Sequence, residues 1–193
     1  MRVLLITAAL MAMLGVACGS EDGAGPRGSA ETVVGRAPEV TEAAGRAKVA
    51  SFAPSRQADG TVDLRTGAAR VKEKGPGAAN AFLSDPALAI DVVRGAVRID
   101  TFGGVGVQGV GTMMYEIDVD PAKAVAAAPI TRRDRLAEVL PAKSFYADVF
   151  VDTQGRIRRV LLPVDLTVPR QYGDSKITNQ EMTVDFYSFT NSP

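Results

Sequence analysis

Residues 144–166, SFYADVFVDTQGRIRRVLLPVDL, decide the fold. Val149 and Val151 alternate with Asp148, Phe150 and Asp152, and Asp152-Thr153-Gln154-Gly155 then turns the chain. Beyond the turn, Val160, Leu162, Val164 and Leu166 recur at every second position. A period of two on both sides of an Asp-to-Gly turn is the pattern of a β-hairpin with one buried face. Upstream, GVGTMMYEIDVD (109–120) sets Met113, Tyr115, Ile117 and Val119 against Thr112, Met114, Glu116 and Asp118. One dry and one wet face predict an antiparallel sheet covered on a single side. Downstream, EMTVDFYSF (181–189) offers Met182, Val184 and Phe186 to the same interior.

Further from the hairpin, TVDLRTGAARVKEK (61–74) alternates on both sides of Arg65-Thr66-Gly67 and reads as a second hairpin. Residues 75–84 read as a loop. Ser84 or Asp85 can cap a helix with Pro86 in its first turn and Leu88, Ala89, Val92 and Val93 as its buried stripe, ending at Gly95. The chain then passes Val97 and Ile99 to a turn expected at Gly103-Gly104. Residues 121–128 and 132–140 read as short helices, the second with Leu136, Val139 and Leu140 inward. EVTEAAGRAKVASF (39–52) has helical spacing and is expected as a short amphipathic helix. Six or more antiparallel strands with a few helices make an α+β domain: a single curved antiparallel sheet with helices covering its apolar face.

Charge is balanced, with 22 basic and 22 acidic residues and no basic run interleaved with aromatics, which argues against a nucleic-acid partner. The chain has no histidine or tryptophan and a single cysteine. Ser-His-Asp and Cys-His catalysis and the usual zinc ligand sets are thereby excluded. No catalytic residue, metal site or cofactor is expected. Asp118 falls on the wet face, Asp120 opens a helix as a cap and Asp152 starts a turn, so these carboxylates have structural duties, and no EF-hand pattern accompanies them. GGVGVQGVG (103–111) runs into a strand rather than a helix and is no dinucleotide loop.

At the N-terminus, Arg2 precedes an apolar run, Val3 to Val16, too short to span a bilayer and ending in small residues at LGVAC. Residues 1–17 read as a secretory signal. An unpaired cysteine directly after Gly-Val-Ala resembles the lipobox of bacterial lipoproteins, in which the thiol is alkylated with diacylglycerol before cleavage; the plainer alternative is an ordinary cleavage site with a free thiol. Lipidation at Cys18 implies a membrane anchor on the extracytoplasmic face. The following residues are rich in Gly, Ser, Pro and charge, so 18–40 is expected as a lipidated flexible tether and 41–193 as the folded domain, roughly 150 residues around one core. The high Ala, Gly, Val and Arg content suggests a high-GC bacterium.

The succession GVGTMMYEIDVD, a helical insert, FYADVFVDTQGRIRRVLLPV and a closing VDFYSF is similar to actinobacterial LppX/LprG-type lipoproteins, related in fold to LolA carriers. The matching positions are Gly109 or Gly111, Thr112, Tyr115, Val119 and Asp120, then Val149, Val151, Asp152, Gly155, Arg158 and Arg159. GTVDLRTGAA (60–69) also resembles the family's opening strand. The resemblance implies a half-barrel whose cavity holds acyl chains of lipids or lipoglycans. Leu88, Val92, Met113, Tyr115, Ile117, Val149, Leu162, Val164 and Phe186 are then candidate cavity linings. The chain departs from the family between residues 75 and 84, where only a loop stands in place of further strands, which implies a smaller half-barrel. Two functions remain open: an anchored carrier of a hydrophobic ligand, or an anchored envelope domain that binds a partner protein and no lipid. Arg156, Arg158 and Arg159 can meet anionic headgroups or serve as a charged outer face.

Overall fold

The computed structural model describes residues 25–76, 80–163, 165–166 and 181–190. Ser29 caps α1 (Ala30–Ala43), and the chain then forms β1 (Arg46–Ala53), β2 (Arg56–Asp63) and β3 (Ala69–Lys74). Two helices, α2 (Ala81–Ser84) and α3 (Ala87–Val93), precede the long hairpin of β4 (Ala96–Val107) and β5 (Val110–Val119). α4 (Pro121–Ala127) and α5 (Ile130–Val139) lead to β6 (Phe145–Asp152), β7 (Ile157–Pro163) and β8 (Glu181–Thr190). All neighbouring strands are antiparallel, in the order β3-β2-β1-β8-β7-β6-β5-β4. β8 comes last in sequence yet lies between β1 and β7, so the first three strands join the sheet only through it. The sheet is open, a half-barrel with its helices on one side, as the alternation of β5 to β8 predicts.

The hairpin of β6 and β7 forms where the sequence places it. The Asp152 carboxylate accepts hydrogen bonds from the backbone N–H groups of Gln154 at 2.9 Å and Arg156 at 3.0 Å, fixing the turn. The hairpin of β2 and β3 turns in the same way, Asp63 accepting from the N–H groups of Arg65 and Thr66 at 3.1 Å each. Asp120 caps α4 through the N–H groups of Ala122 and Lys123.

Several expectations are overturned. Residues 39–52 are not one helix: α1 stops at Ala43, Gly45 adopts a φ of +82°, and β1 follows. A left-handed residue just past the last turn ends a helix, and glycine takes that conformation without a β-carbon clash. The tether does not run to residue 40. Residues 30–40 are helical despite Gly35 and Pro38, because Val33, Val34, Ala37 and Pro38 are buried against the sheet. Each buried valine contributes about 1.5–3 kcal/mol, enough to offset the local cost of glycine and outweigh weak helix propensity. Thr41 fastens α1 further, its hydroxyl accepting from the Ile157 N–H at 2.8 Å while donating to the Ala37 carbonyl.

The expected loop at 75–84 contains α2, capped by Asn80, whose side chain accepts from the Phe82 N–H at 2.9 Å. Neither Ser84 nor Asp85 caps α3; Pro86 holds that position with no side-chain bond. The turn expected at Gly103-Gly104 is a bulge inside β4, and the hairpin turns instead at Gln108-Gly109.

Candidate functional site

The concave face of the sheet is built from one side of every strand. Across it, Ala58, Ser51, Val184, Val160, Val149 and Tyr115 are successive cross-strand neighbours from β2 to β5. The helices cover this face: α1 lies against β4, β6 and β7, α3 against β5 and β7, and α2 against β1, β2 and β3. Leu88, Val92, Tyr115, Ile117, Val149, Leu162 and Phe186 are all buried in this single core. Met113 sits at its margin, partly buried. Val164 lies outside the described residues. Seven of the nine residues proposed as cavity linings are thus brought together as a packed core beneath a closed roof.

A cleft of about 550 Å³ opens onto this core at the end of the sheet where β7 stops and β8 starts. Ala81 and Phe82 of α2, Val139 and Leu140 at the end of α5, and Pro163 and Met182 form most of its wall. Asn80, Arg135 and Asp165 complete the wall, so the cleft offers apolar and polar surface side by side. Met182 is itself a concave-face residue, buried beside the Leu162 position. The cleft therefore ends on the outer layer of the core at Met182 and Phe82. Periodicity assigned Leu136, Val139 and Leu140 inward, but only Leu136 is fully buried; the other two face the cleft.

A buried charge cluster that sequence reasoning missed ties the roof together. Arg132 of α5 donates through Nε to Asp91 Oδ2 at 2.6 Å and through Nη2 to Asp91 Oδ1 at 2.9 Å, a bidentate pair between α5 and α3. Its Nη2 also reaches Glu42 Oε1 of α1 at 2.6 Å. Arg94 bridges Glu42 at 2.7 Å, Glu39 at 2.9 Å and Asp91 at 3.3 Å. Burial works against the charge of Arg132, but Asp91 and Glu42 outweigh it and hold the guanidinium protonated far above neutral pH. Asp91 lies outside the expected buried stripe of Leu88, Ala89, Val92 and Val93, yet α3 is buried along its whole length, and nothing in local spacing links Asp91 to Arg132, 41 residues on.

On the convex face, the arginines proposed for headgroups are committed to partners within the fold. Asp152 accepts from Arg158 at 2.7 Å and from Arg156 at 2.9 Å, and both guanidiniums stack over Phe189 at 4.7 and 4.8 Å from the ring centre. Burial opposes the charge of Asp152, yet the Arg156 N–H and the two guanidiniums hold its carboxyl below the usual range. Arg159 makes two bonds to Asp185, which also accepts from Gln108 at the tip of the β4–β5 hairpin at 3.0 Å. This face is not uniformly wet: Thr112, Glu116, Asp148, Asp152 and Asp185 are buried in it, and so are Val107 and Phe150, apart from the main core. Asp148 has one carboxylate oxygen without a partner, and burial together with the nearby Glu181 pushes its carboxyl up to about 6. Among the described residues, no three His, Cys, Asp or Glu side chains are arranged to hold a metal ion.

An open antiparallel half-barrel with helices in its concavity defines an α+β class to which known solved structures can be compared. The fold is similar to that of LprF from Mycobacterium bovis, with a TM-score of 0.52 and 10% identity over 88% of this chain and 96% of that one. The lipoprotein LppX of Mycobacterium tuberculosis also aligns, with a TM-score of 0.45 and 14% identity over 86% of this chain and 98% of that one. The likeness to LprF and the open half-barrel itself show that the fold the sequence resemblance implies is the one present. No protein-family model matches the chain, and no curated protein matches its sequence. No helix among the described residues is long and apolar enough to cross a membrane.

Proposed function

We propose that the protein is a lipoprotein, cleaved after residue 17 and anchored through Cys18 to the extracytoplasmic face of the cell membrane, that holds acyl chains of a lipid or lipoglycan between sheet and helices. The observation that carries this reading is the cleft between α2, α5 and the ends of β7 and β8, whose apolar wall residues Phe82, Leu140 and Met182 adjoin a concave face that is apolar across most of the sheet. An acyl chain enters past Leu140 and Met182 and displaces the packing of Tyr115, Val149 and Leu162 as the roof lifts. The Arg132–Asp91–Glu42 cluster then sets how far α5 can move, because separating it would leave Asp91 charged and buried. Filled cores resist added volume, so loading needs this helix motion rather than a preformed void.

A second reading, an envelope domain that binds a partner protein and no lipid, is favoured by the full burial of the seven interior residues. One experiment separates the two. The Cys18→Ser protein, which lacks the thiol to be lipidated, is purified from its host and extracted with organic solvent for mass spectrometry. Near-stoichiometric acyl lipid that falls sharply in Leu140→Arg supports the carrier; clean protein supports the partner-binding domain. Radiolabelled fatty acid incorporated into the parent but not into Cys18→Ser tests the anchor.

A further inference from the structure

The strand β4 forms one edge of the sheet; α1 packs against part of it, yet three of its apolar side chains stay exposed. Val97 is 56% exposed, Phe102 61% and Val105 43%. Their exposure is built into the backbone. The register with β5 shifts between Ala96 and Arg98 and again between Thr101 and Gly103, leaving Val97 and Phe102 as the unpaired residues of two bulges. Gly103 takes a φ of +129° at the second bulge, a conformation that favours glycine. Bulges re-aim side chains, and here both aim an apolar residue outward. The charge between them is neutralised, Arg98 being held by Asp118 at 2.9 Å and Asp100 at 3.6 Å.

The described chain begins one strand in from this edge, at Gly25. Gly25 lies against Met113 of β5, so close that a β-carbon on it would come within 2.8 Å of the Met113 Cε. Met113 pairs with Gly104, the neighbour of Val105 and two residues from Phe102. The seven residue steps from Cys18 to Gly25 reach no more than about 25 Å even when fully extended. We infer that the β4 edge, with Phe102 at its centre and Val97 and Val105 beside it, docks on the lipid surface that carries the anchor. This rests on lipidation of Cys18. The docking fixes the domain's orientation: the edge strand sits in the headgroup layer, and the cleft beside β7 and β8 lies at least three strands further in.

The chain has no tryptophan, so one indole reports on one position. The full lipidated protein carrying Phe102→Trp is placed in vesicles of phosphatidylcholine and phosphatidylglycerol, with and without brominated acyl chains. Ile130→Trp, on α5 and 74% exposed, serves as the control. The expected result is a blue-shifted emission at position 102 that is quenched by the brominated lipid, with position 130 unshifted and unquenched. Protein that floats with the vesicles while both positions behave alike overturns the docking and leaves the anchor intact. A blue shift that bromine does not quench, growing with protein density, means that a second copy covers the edge and also overturns it. Protein that carries no lipid and does not float removes the anchor and the docking together.

Discussion

The two faces of the sheet come from alternate residues of the same strands, yet they are stabilised by different physics. On the concave face, Val149, Val160 and Val184 pack in the apolar core and contribute by leaving water, and among the described residues the buried charges on that side, Asp91 and Arg132, lie in the helix roof. Among the described residues no helix lies on the convex face. There the buried groups include Val107 and Phe150 but are largely polar, Asp152 and Asp185 gripped by three arginines whose planes rest on Phe189 and Phe150. An apolar face needs a cover of matching shape, whereas guanidinium groups lie flat on a strand and shield carboxylates without one. Function that requires opening therefore belongs to the concave side, and rigidity to the convex side.

This contrast can be broken most severely at the roof. Arg132→Leu should leave Asp91 buried without its bidentate partner and cost about 3–5 kcal/mol, read as a fall in the urea midpoint. A change below about 1 kcal/mol would mean that the cluster does not hold the helices.

The unpaired convex carboxylate gives the next effect, with opposite sign. The Asp148 carboxyl titrates near 6 in the folded protein against 3.8 without the fold, so the fold favours its neutral form. Its contribution to stability is complete below about pH 4 and is lost as pH rises through about 6. Asp148→Asn should therefore stabilise the protein by about 2–3 kcal/mol at pH 7.5, with the gain vanishing near pH 4. Thermal melts of parent and variant at both pH values check this, and an equal gain at each would remove the titration as its cause.

At the concave centre, Val149→Trp overfills the closed core and should cost about 1–3 kcal/mol. Measured beside extracted lipid, it sharpens the comparison: a variant that stays as stable as the parent but loses bound lipid marks Val149 as the wall of a ligand space. The smallest effect is expected at the start of α1, where Ser29 accepts from the Thr32 N–H at 3.3 Å; Ser29→Ala should cost about 1 kcal/mol. No loss at all would place the N-terminal turn of α1 outside the cooperative unit.

The strands that define the fold were legible because a half-buried strand writes its periodicity into adjacent residues: β5 to β8 and the Asp152 turn follow directly from alternation. The site was legible only as a list. Tyr115, Val149 and Leu162 could be assigned to one face, but whether that face encloses space depends on helices whose positions no local pattern encodes. α1 was misread because its Gly, Pro and Ala content resembles linker, and only burial of Val33 and Val34 makes it a helix. β1 was misread because Ala-rich VASFA fits two periods at once.

By itself the sequence determined the antiparallel α+β architecture, its principal hairpins, and the absence of histidine chemistry, since each is a matter of residue type or of neighbours along the chain. The tertiary structure alone decided that β8 closes between β1 and β7, that Arg132 finds Asp91 and Glu42, that the convex arginines are occupied by Asp152 and Asp185, and that a cleft reaches Met182. These contacts join residues far apart in the chain, and their energies come from burial and charge pairing that exist only once the whole sheet has formed.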